Sequence, residues 1–69
     1  MNDDRYARDG LLILPARQEL FAALVEAQDA GASVPMSREL VAKRFGVSVA
    51  TVRAVEREGI AEAWSPLGP

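Results

Sequence analysis

Gly46 and Ser48 stand with only Val47 between them, and that spacing constrains the fold more than any other feature of the chain. A glycine just past an apolar-periodic run is a helix terminator, because it accepts positive φ without steric cost. A serine just before the next run is an initiator, its hydroxyl accepting from an otherwise orphaned first-turn amide. A stop and a start this close put two helices around a tight corner, where they cross steeply and need a small side chain at their closest approach. Ala42 meets that need. Val41, Phe45, Val47, Val52 and Val55 supply apolar positions that lock the pair together and to whatever packs on it.

The flanking segments follow from periodicity and caps. Before the corner, RELVAKRF reads as a helix started by Ser37, with Leu40, Val41 and Phe45 apolar and Arg38, Glu39, Lys43 and Arg44 solvated. After it, VATVRAVERE repeats Val49, Val52 and Val55 at three-residue spacing, and Gly59 is expected to close it. Upstream, Pro15 suits a first helical turn, Leu20, Phe21, Leu24 and Val25 form one apolar stripe, and Gly31 ends the segment. A helix over 15–29 and a loop over 31–35 are therefore expected. Beyond Gly59 there is room for one short turn at 60–64 before Pro66 and Pro69, with Trp64 and Leu67 folding back as a lid.

The expected fold is all-α, a small three- to four-helix domain with a helix-turn-helix and an extended N-terminal arm. Residues 1–14 divide into a polar, acidic tail over 1–9 and an apolar arm, Leu11 to Leu14; residues 15–69 are the helix-turn-helix domain. The arm either covers the helical core or pairs with a second copy of the protein, and the tail is expected to be mobile.

A chain of 69 residues buries only about 60% of its unfolded-state surface, so one core carries nearly all the stability and docking on a partner would add to it. With no Cys and no His, the chain lacks disulfides, thiolate nucleophiles, the commonest transition-metal ligands and the usual neutral-pH proton shuttle. There is no Gly-rich phosphate loop, and the carboxylates have no pairing that suggests acid–base work. The expectation is a non-enzymatic, cofactor-free, cytoplasmic protein. No uninterrupted apolar run, Leu11 to Pro15 included, approaches the ~20 residues that span a bilayer. Asp3 and Asp4 stand where a targeting leader would be basic, so neither membrane insertion nor targeting is expected.

The net charge of −2 is unevenly distributed. Residues 1–35 hold three basic and six acidic groups, whereas residues 36–69 hold five basic and four acidic ones. The acidity belongs to the N-terminal half, which leaves a local basic face available on the second half.

The string FGVSVATVRAVEREGI resembles the helix-turn-helix of the fourth conserved region of bacterial sigma factors and related small bacterial or phage regulators. The matching residues are Gly46, Val47, Ser48, Val52, Arg53, Val55 and Glu56, and the resemblance covers about a third of the chain. It implies a transcriptional regulator whose second helix of the motif reads double-stranded DNA. Val49, Ala50 and Thr51 stand where that family places polar or charged promoter-reading residues, so the family's promoter preference does not carry over.

If Val52 and Val55 face inward, helix geometry turns Val49, Ala50, Arg53, Ala54 and Arg57 outward, with Thr51 at their flank. Arg53 is the leading candidate, because a guanidinium donates two hydrogen bonds to guanine O6 and N7, while Val49 and Ala50 offer apolar contact to a thymine methyl. Ser48, Thr51 and the first amides of that helix suit a phosphate. Lys43, Arg44 and Arg38 would add backbone contacts, and binding would weaken as salt rises. One copy offers a small interface, so a homodimer or an RNA polymerase-type protein partner is expected. Arg53 and Arg57 have an alternative role, pairing with Glu56 and Glu58 on a merely solvated face. The whole chain has one too: a helix-turn-helix interaction module docking on polymerase or another nucleoprotein complex.

Overall fold

The structure, a computed structural model, describes residues 12–64, and the described residues form three α-helices: α1 (Leu14–Asp29), α2 (Val34–Phe45) and α3 (Val49–Ala61). Each helix packs against both others around one apolar core. The core is Leu12, Ala16, Leu20, Phe21 and Leu24 from the first segment, Val41 and Ala42 from α2, and Val52 and Val55 from α3. Ala23, Val25, Phe45, Val47 and Trp64 line its edge. No helix among the described residues is long and apolar enough to cross a membrane.

Pro15 lies in the first turn of α1, where its missing N–H costs no hydrogen bond. The other end closes in a Schellman arrangement: Ala32 N–H donates to Ala27 O, Gly31 N–H donates to Gln28 O, and Gly31 has φ +107°. Of the expected arm, Leu12 is a core residue and its carbonyl accepts from Arg17 Nη1. Ile13 is exposed, and Leu14 already belongs to α1. Leu11, the acidic tail and Leu67 lie outside the described residues.

The start of α2 corrects the sequence reading. Ser33, not Ser37, is the N-cap, its Oγ accepting from Met36 N–H at 3.2 Å. Both serines precede an apolar run, but Pro35 fits a first helical turn and so does not exclude a start before it. The helix gains a turn, the connection shortens to residues 30–33, and Ser37 rotates inward to full burial. There its hydroxyl donates to Val34 O at 2.7 Å and accepts from Gln28 Nε2 at 3.1 Å, which removes the penalty of burying a polar group. The same register leaves Leu40 on the outer side, 52% exposed, where the sequence alone suggested a core position.

The corner forms as its residues require. Gly46 caps α2 with φ +69°, Val47 N–H donates to Ala42 O at 3.0 Å, and Ser48 Oγ accepts from Thr51 N–H at 3.1 Å to start α3. Three residues connect the two helices.

Gly59 is the second correction. It does not end α3 but lies buried within it, against the ring of Phe21. A Cβ there would sit 2.3 Å from Phe21 Cδ1, so the absent side chain is what allows α1 and α3 to approach. The helix instead ends two residues later: Trp64 N–H donates to Gly59 O at 2.9 Å and Ala63 N–H to Ile60 O at 3.2 Å, with Ala63 at φ +54°. This termination folds Trp64 back, and its ring meets Phe21 edge to face at 5.9 Å, as expected for a lid.

Candidate nucleic-acid interface

With Val52, Val55 and Gly59 buried, the opposite side of α3 presents Val49, Ala50, Arg53, Ala54 and Arg57 to solvent, followed by Ile60. These are the outward positions anticipated from the valine spacing, and Thr51 is half-buried at their flank as expected. Lys43 and Arg44 are exposed in the last turn of α2, where the helix dipole favours cations. The three-residue corner brings that turn to the same end of the molecule as Ser48 and the start of α3. The Arg44 guanidinium carbon lies 5.8 Å from the Phe45 ring centroid, within reach of a cation–π contact, and the residue stays exposed.

At the start of α3, Ser48 Oγ and Thr51 Oγ1 are 3.1 Å apart and share one hydroxyl hydrogen between them. The other hydroxyl hydrogen remains free to donate. Thr51 N–H is satisfied by Ser48, while the amides of Val49 and Ala50, in the first turn, have no intrahelical acceptor.

Arg38 is placed differently. Its Nε and Nη2 both approach Glu56 Oε1 at 2.9 Å, and both side chains are largely covered. It therefore ties α2 to α3 instead of facing solvent among the outward residues. Arg17 makes the equivalent tie from α1, its Nε 2.8 Å from Glu58 Oε1 and its Nη2 3.1 Å from Glu58 Oε2. Such two-point guanidinium–carboxylate pairs fix orientation as well as charge. Sequence reasoning missed both, and no local signal could have revealed them: the partners are 18 and 41 residues apart.

These ties decide the status of the outward arginines. Glu56 and Glu58, the carboxylates nearest Arg53 and Arg57 in sequence, are occupied by arginines of α2 and α1. Among the described residues, neither Arg53 nor Arg57 has an ion-pair or hydrogen-bond partner. Once the two cross-helix pairs are set aside, α2, the corner and the α3 segment to Glu62 carry four cations (Lys43, Arg44, Arg53, Arg57) against two carboxylates, Glu39 and Glu62. The exposed acidic side chains of α1, Glu19, Glu26 and Asp29, belong to a different helix. α2 and α3 keep an excess of cations within an overall acidic composition because the charges are sorted between elements.

No group of three or more His, Cys, Asp or Glu among the described residues is placed to hold a metal ion. The chain matches no family model, no curated protein and no solved structure.

Proposed function

We propose that this protein is a small sequence-specific DNA-binding protein of regulatory type that enters the major groove with α3. The observation that carries this reading is the release of Arg53 and Arg57: their neighbouring carboxylates are held elsewhere, so the outward face of α3 presents guanidiniums without partners among the described residues. Arg53 contacts a base edge, and Arg57, Lys43 and Arg44 contact phosphates. The hydroxyls of Ser48 and Thr51 and the amides of Val49 and Ala50 receive one more phosphate at the positive end of the α3 dipole. Arg38 contributes through Glu56, by holding α3 against α2.

The test is selection of bound sequences from random-core DNA duplexes at two salt concentrations. The proposal requires enrichment of a defined motif, with affinity falling as salt rises, since roughly 3–5 phosphates are neutralised per protomer. A palindromic motif would show that two copies bind together. Equal recovery of all sequences at both salt concentrations would refute it. A second reading, docking on a protein partner, is favoured by Met36 and Leu40, which are one turn apart on α2 and more than half exposed. That reading predicts no enriched motif.

A further inference from the structure

The outward face of α3 is chemically narrow. From Val49 to Arg57 it carries two kinds of exposed side chain: short apolar ones, Val49, Ala50 and Ala54, and the guanidiniums Arg53 and Arg57. It has no Asn or Gln, the residues that pair with adenine N6 and N7. Its carboxylates, which could accept from cytosine N4, are Glu56 and Glu58, and both are bound to arginines of other helices. The hydroxyls of Ser48 and Thr51 lie at the flank, bonded to each other and, in the proposed docking, turned to a phosphate.

Two of the four base signatures in the major groove remain readable by such a face. A guanidinium recognises guanine through O6 and N7, and alanine or valine packs on the C5-methyl of thymine. Arg53 stands between Ala50 and Ala54 in sequence, and those two alanines, four residues apart, are about 6 Å apart along the helix, on the order of two base-pair steps. Resting on the reading of α3 as the DNA-contacting helix, we infer that the protein reads guanine together with thymine methyl groups. Arg53 takes the guanine, and Ala50, Ala54 and Val49 take methyls within about two base pairs of it. Adenine and cytosine are tolerated only as the partners of the bases that are read.

The experiment uses the full chain and the duplexes enriched by selection, and its first arm alters only the DNA. Each thymine of the motif is replaced in turn by deoxyuridine, which removes only the methyl, and each guanine by 7-deazaguanine, which removes one acceptor. Affinity is read by fluorescence anisotropy. At least one thymine beside the critical guanine should lose about fourfold on methyl removal, the value of one buried carbon. One guanine should lose about tenfold on losing N7. The Arg53→Ala protein should become indifferent to 7-deazaguanine while remaining sensitive to deoxyuridine. A motif that is enriched but unaffected by every deoxyuridine substitution overturns this inference and leaves DNA binding standing. The absence of any enriched motif overturns both.

Discussion

Gly46 and Gly59 occupy two helix-packing positions and are there for opposite reasons. Gly46, at the corner between α2 and α3, has φ +69° and open space where a Cβ would be. Its requirement is entirely one of backbone conformation. Gly59, at the approach of α1 and α3, has ordinary helical conformation, but the Phe21 ring fills the volume that a Cβ would need. Its requirement is entirely one of space. Interchangeable in sequence, the two glycines aim α3 by different means: one sets the angle at which it leaves α2, the other how closely it sits on α1. The functional reading needs both, since they determine which residues of α3 face outward.

The largest effect that separates these roles should come from Gly59→Ala. Alanine is the better helix former by about 1 kcal/mol, so an open helical site would be stabilised. Here the new Cβ meets three ring atoms of Phe21 within 2.8 Å, and that ring is itself held by Trp64. A net loss of about 1–3 kcal/mol is expected in urea or thermal unfolding, with part of it recovered when Phe21→Leu is added. A gain in stability would mean that α1 and α3 are not in contact there.

A smaller loss is expected at the corner. Gly46→Val should cost about 1–2 kcal/mol because a β-branched residue resists positive φ, although it clashes with nothing. Gly46→Asn should retain most of the stability, since asparagine tolerates that conformation. Equal melting temperatures for the glycine and valine proteins would show that the corner is not left-handed. The smallest effect has the opposite sign. Ala63 is a non-glycine residue at φ +54°, so Ala63→Gly should stabilise by about 0.5 kcal/mol, the relief of backbone strain exceeding the added unfolded-state entropy. A lowered midpoint would contradict the chain termination described for α3.

The contrast between the glycines also marks how far the sequence could be read. Gly31, Gly46 and Ser48 were legible because their roles depend on the residues immediately around them, and the inward positions of Val52 and Val55 followed from spacing. Ser37 and Gly59 mislead because each matches a local boundary signal, while its actual role depends on a residue of another element, Gln28 or Phe21. The candidate site divides in the same way. The outward set from Val49 to Arg57 was legible from helical geometry alone. Whether Arg53 and Arg57 were free or neutralised was not, because that depends on where Arg17 and Arg38 reach across the fold.

DNA recognition by α3 requires that Arg53 be free to meet a base, and the affinity of Arg53→Ala for the enriched duplex, measured alongside its melting temperature, probes that freedom. Loss of a bidentate contact to guanine should weaken binding by roughly 1–3 kcal/mol and relax the preference at one base pair, with stability unchanged because the side chain has no partner among the described residues. Undiminished affinity and selectivity in a folded Arg53→Ala protein would contradict the account.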